Sequence, residues 1–405
     1  MKWLVIADDL SGAADCAIGF AASGWRTFVV LTADRRPEAA AEVIAADVDS
    51  RRLSPAEAAN RNLAAWESFG GAGRHLYKKI DSTLRGNWAA ETAALQRVAG
   101  LAIVAPAFPA TGRTTRGGCQ YVNDQPLEAS DIWRLEGHDG RADMVALLSA
   151  QGLRVAGIGT DILRGGDAVL RSYLRDLAGQ GVQAVVCDAL ADGDLAALAA
   201  AAPDIPHFWV GSGGLARHLS PRSGGAGGAS AAAKPSIRGP VLTLVGSLSA
   251  VSARQAELLV QRGEIPSLEI PPVVLRAGPS HGDWAGWMAH LAASISAGRD
   301  LLVSIGRDDL FRIEEGPRLS EALARMVAPY FDDVGGLIAT GGETARAMLQ
   351  AADIGVLELV SEIEPGVPVS CTLGPAPQHV VTKAGAFGTE TALYAAWRHL
   401  KQMQA

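Results

Sequence analysis

Within the nine residues from Lys78 to Gly86 the chain places three cations, a carboxylate, two hydroxyls and a glycine directly behind an apolar run. That mixture offers anion binding, proton abstraction and close backbone approach in one loop, which suits an acidic, hydroxylated small molecule. Asp8 and Asp9 follow the apolar run 2–7 in the same way. Arg113 follows the run 101–105 across a loop stiffened by Pro106, Pro109 and Gly112. A guanidinium fork matches a carboxylate, so Arg85 and Arg113 would fix an acid group while one of Asp8, Asp9 and Asp81 accepts a hydroxyl proton. Lys79 and Ser82 complete the expected substrate-binding set. Taken singly, each residue has an ordinary explanation: Asp9 or Ser11 as a helix cap, or an Arg in a surface ion pair worth ~0–1 kcal/mol.

The second half shows another chemistry. Gly246-Ser247-Leu248-Ser249, Gly341-Gly342-Glu343-Thr344 and Lys383-Ala384-Gly385-Ala386-Phe387-Gly388 each follow an apolar run and precede a helical stretch. Glycines there let backbone N–H groups approach an anion where the helix dipole already favours negative charge. Three such turns indicate a nucleotide-phosphate site, with Lys383 as a mobile positive charge. No G-x-x-x-x-G-K-[ST] occurs, which excludes a P-loop. Gly211-Ser212-Gly213-Gly214-Leu215-Ala216 fits G-x-G-x-x-A, but it runs into a Gly/Ser/Ala tract where a dinucleotide site needs an acidic residue about 20 positions on. It reads as a tight strand-to-helix turn.

Positioning these groups falls to alternating strands and helices, and the fold class is α/β: two α/β domains with mainly parallel sheets and a ligand cleft between them. In such sheets ligands collect at the carboxyl ends of the strands, where all of these residues fall. With 405 residues, 48% of them apolar, one core is too few. The expected division is 1–222, a Gly/Ser/Ala linker at 223–237, and 238–405. Ser54-Pro55 with Glu57 predicts a capping box opening a helix that runs to about Phe69. Residues 121–140 show no assignable pattern. A net charge of −7 without a basic track argues against nucleic acid, and no apolar run reaches the ~20 residues of a membrane helix. Four scattered cysteines suggest neither a disulfide framework nor a zinc ribbon, so a reducing cytosol is the expected compartment. The sequence leaves room for a homo-oligomer.

Asp8-Asp9-Leu10-Ser11-Gly12-Ala13, Lys79 to Gly86, Pro106-Ala107-Phe108-Pro109 with Gly112-Arg113, the three glycine turns, and Glu364-Pro365-Gly366-Val367-Pro368 together resemble the four-carbon acid sugar kinases, in the same order from about residue 4 to 390. The resemblance implies an N-terminal domain for a sugar acid such as threonate, erythronate or 3-oxo-tetronate, and a C-terminal domain for ATP. It also implies phosphorylation of the terminal hydroxyl to the 4-phosphate. By the same likeness Asp8, Asp9, Asp81, Ser82, Arg85 and Arg113 face the acid. Ser247, Ser249, Gly341, Gly342, Glu343, Thr344 and Gly385 face ATP, with Mg²⁺ and Lys383 steadying the phosphates. Ser11, Glu343 and Ser361 depart from the usual Thr, Asp and Gly. The sequence assigns no metal ligands. Two other readings stay open: an NAD-dependent dehydrogenase resting on Gly211 to Ala216, and a non-catalytic sugar-acid sensor that would bind acid without consuming ATP.

Overall fold

Trp3 to Ala7 are buried on both faces, as the central strand of a parallel sheet must be. The computed structural model describes residues 2–37, 41–71, 73–136, 140–220, 237–310 and 312–404. The chain falls into two compact units, Met1–Ala226 and Gly227–Ala405. The linker expected at 223–237 lies outside the described residues up to 236.

The first unit contains β1 (Lys2–Ala7), β2 (Thr27–Val30), β3 (Val43–Asp47), β4 (Arg74–Lys79), β5 (Leu101–Ala105), β6 (Arg113–Arg116), β7 (Cys119–Val122), β8 (Gln125–Pro126), β9 (Val155–Ile158), β10 (Ala184–Cys187) and β11 (His207–Gly211). Eight of these form a parallel sheet in the order β2-β3-β1-β4-β11-β5-β10-β9. β6, β7 and β8 make a separate antiparallel sheet, which supplies structure in the stretch that carried no pattern. Their turns need Gly117, Gly118, Asn123 and Asp124 at positive φ, and such irregular backbone hides the strand periodicity. From β1 the chain passes through helix Leu10–Ala22 to β2 on one side. From β4 it passes through helix Trp88–Ala99 to β5 on the other. This reversal opens a crevice between the carboxyl ends of β1 and β4.

Local rules explain the supports. Ser54 and Glu57 form the expected reciprocal cap on helix Pro55–Phe69. The strand period of two sends Lys78 and Lys79 to opposite faces. Lys78 is buried in an ion pair of 2.8 Å with Glu91, which also accepts from the Ser50 hydroxyl.

The second unit contains β12 (Val241–Val245), β13 (Ser267–Ile270), β14 (Leu301–Ile305), β15 (Gly336–Thr340), β16 (Val356–Glu362), β17 (Pro368–Thr372) and β18 (His379–Lys383). Within it the order is β13-β14-β12-β15-β18-β17-β16. The first five run parallel, while β17 is antiparallel to both neighbours. β12 leads through helix Ala250–Gly263 to β13 on one side, and β15 leads through helix Gly342–Ala351 to β16 on the other. The crevice here opens between β12 and β15. No helix among the described residues is long and apolar enough to cross a membrane. All four cysteines are buried free thiols.

Candidate functional site

At the β1/β4 crevice the organising side chain is Arg51, which the sequence analysis missed. Its Nε and Nη2 meet Asp8 Oδ2 and Oδ1 at 2.7 and 3.0 Å, and its Nη1 meets Asp9 Oδ2 at 2.7 Å. Nη2 also stands 3.8 Å from Asp81 Oδ2. All three expected proton acceptors therefore share one guanidinium. Arg51 sits behind β3, an apolar strand not foreseen in the sequence. Had Val43-Ile44-Ala45-Ala46-Asp47 been recognised as a strand, Arg51 would have followed the same rule as the other strand-end groups. The loop is held from behind: the Ser50 amide donates to the Asp8 carbonyl at 3.2 Å, and Asn87 Nδ2 donates to the carbonyls of Ser50 and Leu53.

The Asp81 segment is shaped by its own side chains. Asp81 Oδ1 accepts from the Thr83 amide at 2.7 Å and from the Thr83 hydroxyl, an Asx turn that turns the chain sharply after β4. Its Oδ2 receives Arg85 Nη2 at 2.6 Å. Gly86 has φ +79°, and a Cβ there would stand 3.2 Å from both Arg51 Cγ and Asp8 Oδ2. The glycine thus makes room for the cluster as well as for the turn into helix Trp88–Ala99. Asp9 both caps helix Leu10–Ala22, through Gly12 N at 2.7 Å, and pairs with Arg51, so the structural and the chemical reading of that residue coexist.

Burial pushes the carboxyls of Asp8 and Asp81 up. The neighbouring cations outweigh it, Arg51 at Asp8 and Arg85 with Arg51 at Asp81, so both stay below the ordinary aspartate value. Lys79 is likewise opposed by burial, but Asp9 and Asp8 hold its ammonium charged. Gly12 is where these groups crowd: a Cβ there would lie 2.6 Å from Asp9 Oδ1 and 3.0 Å from Lys79 Nζ.

Asp8, Asp9, Asp81, Lys79 and Arg85 thus meet in one cluster. Ser82 adjoins it, its carbonyl held by Gln120 Nε2 of β7 at 2.7 Å. Arg113, at the start of β6, makes no ion pair with the three aspartates. Its Nη1 donates to the Thr111 carbonyl at 2.5 Å, its Nε is buried without a partner, and no carboxylate among the described residues lies within ion-pair distance.

Gly211 to Ala216 forms the tight turn expected: Ser212 caps helix Gly213–Leu219. A Cβ on Gly213 would stand 2.5 Å from Asp15 Oδ2, and one on Gly214 2.4 Å from the Ala107 carbonyl. These glycines admit neighbouring protein atoms rather than a pyrophosphate.

In the second unit Ser247, Ser249, Gly341, Thr344 and Gly385 converge on the β12/β15 crevice. Ser249 Oγ caps helix Ala250–Gly263 by accepting from Ser252 N at 3.1 Å, and donates to the Gly385 carbonyl at 2.9 Å. A Cβ on Gly385 would lie 2.1 Å from Ser247 Oγ. Gly341, at φ +99°, starts helix Gly342–Ala351, with its amide on the Lys383 carbonyl at 2.8 Å. Thr344 is buried, its hydroxyl 3.0 Å from Ser320 Oγ, and it fills the space that a side chain on Gly246 would take. Glu343 is exposed at the helix start.

Lys383 differs from the mobile cation expected. It is buried, and its ammonium donates to the carbonyls of Ala384, Gly385 and Phe387 at 3.0, 3.0 and 3.1 Å. Burial pulls its pKa down to about 8, against the opposite pull of Glu364. In this conformation it braces its own loop. Among the described residues no group of three or more His, Cys, Asp or Glu is arranged to hold a metal ion.

Comparison with known proteins follows the same division. A family model described as a sugar-binding N-terminal domain matches residues 3–219, and one described as a nucleotide-binding C-terminal domain matches 242–393. A D-threonate kinase from Cupriavidus necator is 60% identical over 100% of this chain and 99% of its own length. A 3-oxo-tetronate kinase from Pseudomonas fluorescens is 31% identical over 95% of this chain and 93% of its own. A solved Salmonella typhimurium structure superposes with a TM-score of 0.82 at 25% identity, covering 98% of this chain and 99% of that one.

Proposed function

The chain belongs to the four-carbon acid sugar kinase family and is a sugar-acid phosphotransferase, and on that premise we propose that it transfers the γ-phosphate of ATP to the terminal hydroxyl of D-threonate. The observation that carries the reading is the convergence of Asp8, Asp9 and Asp81 on Arg51 at the strand-end crevice of the unit matched by the sugar-binding model. Identity of 60% to a D-threonate kinase over the whole chain favours that acid over its relatives.

The charges of the cluster suggest how the acid is taken up. Asp8, Asp9 and Asp81 are balanced by Arg51, Lys79 and Arg85, so the cluster is neutral before a ligand arrives. An incoming carboxylate needs a further cation, and Arg113, with no acidic partner among the described residues and an orphaned Nε, is that cation. Arg85, 39% exposed at its side chain, supplies its remaining donors, and Lys79 and Ser82 complete the contacts. Asp8 is 4% exposed and held in two bonds by Arg51, which suits it to positioning. Asp9 and Asp81, 28% and 14% exposed, are the carboxylates that reach a hydroxyl.

The second unit supplies a cradle for phosphates, which the glycine turns and helix starts suit. Ser247, Ser249, Gly341, Gly342, Thr344 and Gly385 would hold them, with Glu343 at the rim and Lys383 fixing the loop. Mg²⁺ commonly binds through one or two carboxylates, water and substrate phosphates, so the lack of a metal cluster among the described residues is compatible with it. Bound there, it would neutralise phosphate charge. In-line transfer asks the protein for alignment and charge neutralisation, and the cations of the first crevice and the amides of the second each suit the neutralising part.

A coupled ADP-release assay over D- and L-threonate, D- and L-erythronate and the 3-oxo acids tests the proposal. D-threonate should give the highest kcat/KM. A higher value for a 3-oxo acid would overturn the substrate assignment, and acid binding without ADP release would revive the sensor.

A further inference from the structure

With ATP as donor, as proposed above, the phosphates occupy the β12/β15 crevice and the nucleoside must extend to one side of it. The side toward β18 is filled. The Gly385 carbonyl already accepts from the hydroxyls of Ser249 and Ser252 and from Lys383, and Gln255 Nε2 binds the carbonyls of Phe387 and Thr389 at 3.2 and 2.6 Å. Gly385 and Gly246 have no space even for a methyl group, because Ser247 and Thr344 occupy it.

The opposite side is open. A cavity of about 680 Å³ runs between helix Ala250–Gly263 and strands β12, β14 and β13, and Ser247, Leu248 and Arg307, whose Nη2 donates to the Leu248 carbonyl, also line it. Ala253 and Ala256 line its helix wall, and Ser304 and Glu269 stand on the strands. Its size falls within the ~300–1,000 Å³ of ordinary small-molecule sites. Alanines on the helix leave a shallow, partly apolar wall on which a flat ring can lie, and Glu269 offers acceptors to an exocyclic amine. We propose that this groove receives the purine nucleoside of the phosphate donor, so that Ala253, Ser304 and Glu269 belong to the nucleotide site although none lies in a glycine turn.

The test separates nucleoside from phosphates in the full-length protein. Ala253→Trp and Ser304→Trp each fill the groove from one wall and leave Ser247, Gly341 and Gly385 themselves unsubstituted. Titration calorimetry with ADP and with tripolyphosphate, which lacks the nucleoside, reads both parts. Each variant that keeps the wild-type Tm should bind ADP at least about tenfold more weakly and tripolyphosphate as wild type does. Unchanged ADP affinity in both variants would overturn the groove assignment while leaving ATP as the donor. Equal losses for ADP and tripolyphosphate would also overturn it, because the damage would then lie at the phosphate end. A wild-type protein that binds tripolyphosphate but not ADP would remove the nucleotide itself, and with it the donor reading.

Discussion

The two units use the same topological device, a crevice where strand connections reverse, and fill it with opposite materials. In the first unit the crevice holds ionised side chains: three aspartates on Arg51, with Lys79 and Arg85 beside them. In the second it holds glycines, serine hydroxyls and backbone groups, and its buried lysine, Lys383, donates to three carbonyls of its own loop. A sugar acid is small, and its stereochemistry has to be read by groups that project. A polyphosphate carries several charges along a chain and suits a surface of amides at helix starts. The difference teaches that, on the proposed assignment, the first crevice should be sensitive to charge removal and the second to added volume.

That contrast can be broken by substitution. The largest effect is expected from Asp81→Asn, which removes a candidate base and the partner of Arg85: kcat/KM for the acid should fall by about 10²- to 10⁴-fold in steady-state assays, with KM for ATP little changed. Arg51→Ala should come next. It removes the cation that three carboxylates share and leaves them only Lys79 and Arg85, so it should lower both acid affinity and Tm, and an unaltered Tm would show that the cluster is less interdependent than its geometry implies. Gly385→Ala is the matching probe of the other unit. Its methyl would collide with Ser247 Oγ, so ADP affinity should fall by about tenfold or more while acid binding is kept. Arg113→Ala should raise KM for the acid by about 10-fold while sparing that for ATP, and equal effects on both would remove it from the acid clamp.

The smallest expected effect is on acid stability. Asp8 and Asp81 have folded pKa values below the unfolded value of 3.8. Their contribution is therefore complete above about pH 4 and is lost as pH falls through the lower folded values. Denaturant titrations should show stability rising with pH in that window, with a shallower slope in Asp81→Asn.

Much of this was legible in the sequence. Apolar runs closed by polar loops placed Asp8, Asp9, Asp81, Ser247, Gly341 and Gly385 at strand ends, and those residues do meet in two crevices. The capping box at Ser54 and the plain turn at Gly211 to Ala216 were equally readable, because they follow local hydrogen-bonding rules. Arg51 was not, since it follows β3, a five-residue strand rich in alanine whose pairing partners, β1 and β2, lie elsewhere in the chain. The restraint of Lys383 was hidden too. A lysine beside a glycine-rich turn has the same letters whether it reaches outward or folds back onto its own carbonyls, and only the packing of Ser249, Ser252 and Gln255 around that loop decides it. The β6–β8 sheet escaped because its turns interrupt any period.

The most direct test is calorimetric titration of wild type and Asp81→Asn with D-threonate and, separately, with ADP. The variant should lose most of its affinity for the acid and bind ADP as wild type does. Parallel loss of both ligands, with Tm intact, would contradict the assignment of acceptor recognition to the charged crevice of the first unit.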